Sequence, residues 1–402
     1  MALPLPKHLK MSYPVLRLIH GKEEALARRH PWIFSGALAG GYKGLDVGSA
    51  VWIADSNGTI LATGLFEGGS IAIKVLAFET TELNTHFFVE RFRQAWELRR
   101  RLGLVGSKTT NAFRLVHSEG DELPGLVVDV YGKTAVMQCH SPGIYRMRQL
   151  IAEALLESSM GWIENIYDKS NALQVNGLKK SDGYLVGEHQ NTMVIENGHQ
   201  FIVDWVEGQK TGFFLDQREA RMHLGQFSKG CNVLNAFSYT GGFSVYALAA
   251  GAKHVVSVDS SRRAIEWCEK NVELNGNTNR HTAVCADVKK YLEEVQPGQF
   301  EIIVLDPPAF AKHHSQRHKG LLGYKFINAS AIKKIASGGL LYTFSCSQAV
   351  DRQAFQSVVM AAAIEIGRRV QVLHHFSQPA DHPVSLFHPE GAYLKGLLIR
   401  VL

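Results

Sequence analysis

The hydrophobic pattern changes character twice along the chain. Residues 12 to about 80 carry short apolar or alternating runs, Val15–His20, Ala50–Ala54, Ile60–Phe66 and Ile71–Ala77, separated by Gly40-Gly41, Asn57-Gly58 and Gly68-Gly69. Runs of period two broken by such turn dipeptides predict a small all-β module. A helix is predicted next, from about Asn84 to Leu102, because Phe88, Phe92, Ala95, Trp96 and Arg99 fall at helical spacing. It ends in Arg99-Arg100-Arg101 and Gly103; these cations either complement the helix dipole or touch a polyanion, and the sequence leaves both open. From Phe113 to about Ile195 the pattern is α+β, with strands at Arg114–His117, Gly125–Tyr131 and Thr134–Cys139, a helix at Ile144–Ser158, and strands at Trp162–Asp168 and Asn191–Glu196. From Cys231 onward strand, glycine loop, helix and strand recur, the signature of an open, mostly parallel sheet with helices on both faces. The expected architecture is multidomain α/β: a small β-barrel at residues 12–82, a helical linker at 83–110, an α+β middle domain at 111–196 and a parallel-sheet domain at 197–402.

The strands of the last domain end in residues suited to a ligand. Cys231–Phe237 reads as a buried strand leading into Ser238-Tyr-Thr-Gly-Gly242 and a helix over Phe243–Ala250. The glycines let the backbone turn sharply and leave room for a ligand at the helix N-terminus. A second strand, His254–Val258, ends in Asp259, 18 residues past Gly241, where an acid in this kind of sheet takes a ribose diol. The turn is not Gly-x-Gly-x-x-Gly, so a pyrophosphate is not specifically called for. A helix over Arg262–Leu274 stops at Asn275-Gly276, and a third strand, Thr282–Cys285, leads to Ala286-Asp287. Asp287 stands where the sheet could meet an adenine, and it also reads as the N-cap of a helix over Val288–Val295. The fourth strand, Ile302–Leu305, runs into Asp306-Pro-Pro-Ala-Phe310, a rigid extended segment at the ligand-binding edge of the sheet.

Composition narrows the class. A chain of 402 residues, 46% hydrophobic and 20% charged, is globular and long enough for two or three domains. No stretch approaches the ~18 unbroken apolar residues of a membrane span. Met1–Val15 carries Lys7 and Lys10 but no apolar run, so no signal peptide is expected. The five cysteines, Cys139, Cys231, Cys268, Cys285 and Cys346, include no close pair. That reads against a disulfide framework or a zinc site and for a reducing cytoplasm. The net charge of +6 is uneven: +5 over residues 1–110, −4 over 111–196 and +5 over 197–402. Two basic segments suit a polyanionic partner such as a nucleic acid, although a slightly basic soluble protein has the same balance. The loop Lys312-His-His-Ser-Gln-Arg-His-Lys319 fits either phosphate contact or plain solvation. A metal would need convergent ligands, and none is expected there.

Asn235-Ala-Phe-Ser-Tyr-Thr-Gly-Gly-Phe243, Asp259, Asp306-Pro-Pro-Ala-Phe310 and Phe344-Ser-Cys-Ser347 together resemble the RlmI-type large-subunit rRNA methyltransferases. Gly212-Phe-Phe-Leu-Asp-Gln-Arg218, Ala380-Asp-His-Pro383, Pro389-Glu-Gly391 and Leu394-Lys-Gly396 extend the resemblance, which covers nearly the whole chain and is strongest from about Asp204. It implies a PUA-like RNA-binding domain, a small α+β domain and a Rossmann-like methyltransferase domain, in the order already read. It also implies S-adenosylmethionine as cofactor and 5-methylation of a cytosine in 23S rRNA as activity. By the same resemblance Asn235, Ala236, Phe237, Ser238, Tyr239, Thr240 and Gly241 surround the methionine part of the cofactor. Asp259 holds the ribose and Asp287 lies by the adenine, with their neighbours Ser260 and Val288 in the binding set. Phe213, Asp216 and Arg218 lie over the cofactor, although Gly212-Phe-Phe214 alone reads equally as a strand entering the core. RNA is the implied partner, no membrane or metal is called for, and a homodimer is left open.

After the fifth predicted strand, Leu340–Phe344, comes Ser345-Cys346-Ser347. Carbon 5 of cytosine is not nucleophilic enough to take a methyl group unaided. A thiolate adding to C6, with N3 protonated by a nearby acid, makes C5 enamine-like. Cys346 is the expected nucleophile and Asp306 the N3 partner. For the other four cysteines the default role is a small buried hydrophobe. Many RNA 5-methylcytosine enzymes carry a second cysteine after the fourth strand, serving in product release. Here that loop is Asp306-Pro-Pro-Ala-Phe-Ala311, without one, and the base that removes the C5 proton is unassigned. Two other readings fit the same residues. One is methylation of a base nitrogen, in which Asp306–Phe310 grips an exocyclic amine and no cysteine is needed. The other is an RNA-binding protein whose methyltransferase domain binds cofactor without turnover.

Overall fold

The computed structural model describes residues 13–171, 173, 182–188 and 192–402. Residues 1–12, and Asn191 at the start of one expected strand, lie outside the described residues. The chain forms two compact units. The first comprises Met1–Val105, Arg114–His189 and Pro383–Gly391, and the second Gly106–Phe113, Gln190–His382 and Ala392–Leu402.

In the first unit a five-stranded sheet runs in the order Val15–Arg17, Ala50–Ala54, Ile60–Phe66, Ile71–Ala77, Trp32–Phe34. Its inward residues, among them Leu16, Ile53, Ala62 and Ile73, form one core cluster, as the alternation requires. Trp32–Phe34 is too short to show a period in the sequence. Asn84 caps the helix Thr85–Arg101 by accepting the Phe87 N–H at 3.0 Å, and the predicted face is buried.

Arg99 in the arginine run faces inward. Its guanidinium is fully buried, grips Asp121 at 2.5 and 2.8 Å and donates to the Arg114 carbonyl at 2.7 Å. Arg100 and Arg101 turn back to Glu97. Arg99 therefore serves the interior rather than RNA. A second five-stranded sheet follows, Gly183–Val186, Asn165–Asp168, Thr134–Cys139, Leu126–Tyr131 and Ala112–His117 in spatial order. The helix expected over Ile144–Ser158 is two, Pro142–Arg146 and Arg148–Ser159, separated at Met147.

The second unit holds a seven-stranded sheet, its strands numbered here in chain order: β1 Asn232–Ala236, β2 His254–Asp259, β3 His281–Cys285, β4 Ile302–Leu305, β5 Gly339–Ser345, β6 Val370–Phe376 and β7 Lys395–Val401. The spatial order is β3-β2-β1-β4-β5-β7-β6. Strands β1 to β5 pair in parallel, and β7 runs antiparallel to both its neighbours. The central β4 is buried along its whole length, which explains its unbroken apolar run. The β1/β4 boundary is where the order of connection reverses, and the carboxyl ends of those strands are where such a sheet takes its ligands. Ser261 and Asp351 cap the helices Arg262–Leu274 and Arg352–Ile366 through the Ala264 and Ala354 N–H groups. Among the described residues no helix is long and apolar enough to cross a membrane.

Candidate active site

The loop after β1 is shaped by backbone as much as by side chain. Phe237 and Tyr239 take positive φ of 62° and 46°, and Gly241 takes 80°. For the two aromatic residues this left-handed conformation is costly and persists only where the surroundings fix it. They do so here. Ser238 N–H donates to the Val258 carbonyl at 3.0 Å, and Tyr239 N–H donates to Asp259 Oδ2 at 3.0 Å. The Tyr239 hydroxyl donates to the Gly212 carbonyl at 3.2 Å. Gly241 has no room for a side chain, since a Cβ would meet Cys268 Sγ at 2.5 Å.

These residues open onto a cavity of about 510 Å³ at the carboxyl ends of β1, β2, β4 and β5. Of the residues singled out in the sequence, Phe213, Asp216, Phe237, Ser238, Tyr239, Thr240, Asp259, Ser260, Asp306 and Cys346 line it together. Asp259 accepts Tyr239 N–H on one oxygen and Ser261 N–H on the other, at 2.9 Å. The Ser238 hydroxyl is buried with no hydrogen-bond partner among the described residues. A buried polar atom of that kind suits a polar ligand.

Six expected site residues do not line the cavity. Asn235 and Ala236 are buried within β1, where Asn235 donates to Ser244 Oγ at 2.8 Å. Gly241 supplies the turn. Asp287 caps its helix by accepting from Lys289 and Lys290 N–H at 2.9 and 3.1 Å, and Val288 is buried behind it. The largest departure is Arg218. It is buried and paired with Asp381, with its other nitrogen 3.5 Å from the Ala112 carbonyl, so its charge is spent on structure.

The chemistry gathers around Asp306 and Cys346. Gln217 Nε2 donates to Asp306 Oδ1 at 2.9 Å. Loss of water, and then the charge of Asp216, push the Asp306 carboxyl up to about 7. It can therefore hold a proton near neutrality and donate it. Cys346 is half-buried and follows Ser345, which pairs with Lys395 in the β5/β7 register. Burial raises its thiol pKa; Lys210 and Lys395 act to lower it, and Asp306 and Asp216 to raise it. The Lys395 ammonium is buried, donates to the Ser347 and Tyr393 carbonyls at 2.6 Å each, and is brought down to about 8 by burial. Ser347 Oγ accepts the Ala311 N–H at 3.1 Å and meets the Tyr324 hydroxyl at 2.8 Å, tying the β4 and β5 loops together. Cys139 and Cys268, by contrast, are deeply buried thiols pushed up to about 12.

A family model for S-adenosylmethionine-dependent methyltransferases matches residues 173–376, and one for PUA-like domains matches 16–78. The chain is 40% identical over 393 residues to ribosomal RNA large subunit methyltransferase I of Aeromonas hydrophila, covering 95% of this chain and 98% of that one. It is 38% identical over 399 residues to the protein of the same name in Vibrio parahaemolyticus, covering 96% and 98%.

The chain belongs to the ribosomal RNA large subunit methyltransferase I family.

As a member of that family it is an S-adenosylmethionine-dependent methyltransferase with a PUA-like N-terminal domain. The fold agrees over nearly all of the chain. A Streptococcus mutans structure assigned to the SAM-dependent methyltransferases aligns with TM-score 0.82 at 23% identity, covering 96% of this chain and 100% of that one. A methyltransferase structure in complex with S-adenosylhomocysteine aligns with TM-score 0.81 at 24% identity, covering 97% and 100%.

Lys210 and Gln217 line the cavity, Tyr393 donates to Asp216 and Lys395 to the Ser347 carbonyl, contacts that sequence reasoning did not assign. Gln217 and Lys395 lie inside motifs that were already visible, Gly212–Arg218 and Leu394–Gly396. Their partners, Asp306 and the Ser347 and Tyr393 carbonyls, become apparent only once the strands are paired.

Proposed function

We propose that this enzyme methylates carbon 5 of a cytosine in 23S rRNA, in the cytoplasm, through a covalent bond between Cys346 and C6 of the base. The observation that carries the proposal is the pairing, in one cavity, of a half-buried cysteine with a carboxyl that holds its proton to about pH 7. A nitrogen-methylating site has no use for the thiol, and a cofactor-binding protein without turnover has no use for either group.

The residues divide into two sets. Phe237, Ser238, Tyr239 and Thr240, with the helix N-terminus at Gly242 and Phe243, would hold the methionine end of S-adenosylmethionine, where the helix dipole favours a carboxylate. Asp259 and Ser260 would hold its ribose. When bound, the cofactor supplies an electrophilic methyl group. Cys346 as thiolate adds to C6 of the cytosine, Asp306 gives its proton to N3, and electron density moves to C5. Lys210 and Lys395 stabilise the negative sulfur before attack. The PUA-like domain at 12–82 would anchor the RNA, and the exposed Lys312 at the cavity rim would meet its backbone.

Liquid chromatography–mass spectrometry of nucleosides from the 23S rRNA of a deletion strain tests the substrate. One 5-methylcytidine is expected to disappear and to return with the wild-type gene. Loss of an N-methylated base instead would overturn the proposal.

Two further outcomes test the roles. Asp259→Ala is expected to weaken cofactor binding by ~1–3 kcal/mol, the contribution of hydrogen bonds to a charged group. Calorimetry finding unchanged affinity in a folded variant rules out the ribose role. The second concerns pH. Below about 7 Asp306 keeps its proton while the thiolate fraction grows tenfold per unit. Between 7 and the raised thiol pKa, loss of the acid cancels gain of the thiolate. Single-turnover adduct formation should therefore rise to about pH 7 and then run flat. In Asp306→Asn the plateau should vanish and the slower rate keep rising. A wild-type profile that climbs unbroken through pH 8 removes Asp306 as the acid.

A further inference from the structure

A methylated C5 still carries its hydrogen, and the bond to Cys346 breaks only when that proton leaves. The Asp306–Ala311 loop offers no second thiol, so the base must come from another part of the cavity. Among the described residues three carboxylates line it: Asp259, Asp306 and Asp216. Asp259 takes the N–H groups of Tyr239 and Ser261, one on each oxygen. Asp306 is the N3 acid. We propose that Asp216 is the general base that takes the C5 proton and so releases the product. The proposal rests on the cytosine-C5 reading above.

The local geometry supports the division of labour. The short turn Leu215–Gln217 sets Asp216 and Gln217 side by side. Gln217 fixes Asp306 by a hydrogen bond of 2.9 Å, so one turn aims both carboxyl groups. The Tyr393 hydroxyl donates to Asp216 Oδ2 at 2.6 Å, and Lys210 Nζ lies 3.7 Å from the same oxygen. A donated hydrogen bond and a facing ammonium both favour the charged carboxylate, as a base requires. Asp306 experiences the opposite environment and keeps its proton to about 7, partly because Asp216 is charged beside it. Both line the same cavity as the Cys346 sulfur that must leave.

The step balances. Asp216 takes the hydrogen of C5 as a proton. The electrons of the C5–H bond re-form C5=C6, and those of the C6–S bond return to Cys346 as thiolate. The N3 proton goes back to Asp306. No oxidant or further reactant enters.

The test uses Asp216→Asn with S-adenosylmethionine and RNA containing ordinary cytosine. Denaturing gels and intact-mass measurement are expected to show a methylated protein–RNA adduct at Cys346, which wild-type protein does not accumulate. Release should slow on the order of 10²–10⁴-fold, with tritium from 5-³H-cytosine retained in the adduct, and Asp216→Glu should restore release in part. An Asp216→Asn protein that binds cofactor by calorimetry yet releases product at the wild-type rate, or forms no adduct, overturns the assignment. So does loss of cofactor affinity in both variants, which makes Asp216 a cofactor ligand. Wild-type protein run in parallel on 5-fluorocytosine RNA separates the two readings. If it is trapped at Cys346, a failed Asp216 result leaves the C5 chemistry standing; if it is not trapped, both fall.

Discussion

Cys346→Ala is expected to fold, to bind S-adenosylmethionine with wild-type affinity and to lose methyl transfer on the order of 10³–10⁶-fold, as enzymes do when a covalent nucleophile is removed. The affinity should survive because the groups assigned to the cofactor are backbone turns and carboxylates of the β1 and β2 ends, while Cys346 follows β5. Folding should survive because the hydrogen bonds joining the β4 and β5 loops run through Ser347, not through the thiol. The decisive measurement is trapping. RNA carrying 5-fluorocytosine gives a C5 that cannot lose fluorine as a proton, so wild-type enzyme should stay bound, with the adduct mapping to the peptide around Ser345–Ser347. The variant should give none. An active Cys346→Ala enzyme would end the 5-methylcytosine reading and favour a nitrogen target, leaving the fold and the cofactor untouched.

The largest stability effect is expected at Glu196. Its carboxylate is fully buried and receives Arg221 Nε and Nη2 at 2.9 and 2.8 Å and the Tyr246 hydroxyl at 3.0 Å. Arg221 spends its remaining nitrogen on the Phe214 carbonyl at 2.9 Å, in the cavity wall. Glu196→Gln would leave a guanidinium without its counter-charge in the interior, at a cost of about 3–5 kcal/mol. Urea unfolding should show this as a lower midpoint with an unchanged slope. Cofactor affinity should fall as well, because Arg221 holds the Phe214 segment. Replacing both partners by apolar residues of similar volume should recover much of the stability but not the affinity. A Glu196→Gln protein within 1 kcal/mol of wild type would show that the pair is not what secures this region.

The site was legible in the sequence wherever one stretch of chain makes it. The β1 turn, the acid ending β2 and the Asp306 loop each announce themselves through a strand followed by a glycine, an acid or a proline pair, and all three reach the cavity. Arg218 does not line the cavity and pairs with Asp381, which lies far along the chain, so no local pattern shows that pairing. Lys395 sits two residues from Tyr393 but acts on β5, which follows only from the antiparallel pairing of β7 with β5. The exposed face of β6 likewise hides it: the residues Gln371 to His375 are exposed and carry no apolar alternation.

The nine residues Pro383–Gly391 belong to the first unit although they interrupt the second between β6 and β7. A Cβ on Gly120 would sit 1.8 Å from the Pro383 carbonyl oxygen, and the His388 ring lies 4.3 Å from that of Trp32. On the ribosome this reverses the usual order of events. At 5–20 residues per second, Pro383–Gly391 is synthesised roughly 10–40 s after residue 189, where the preceding segment of the first unit ends. The segment that meets Trp32 and Gly120 is therefore made only after nearly all of the second unit. The end of the chain that carries the PUA-like domain is completed last.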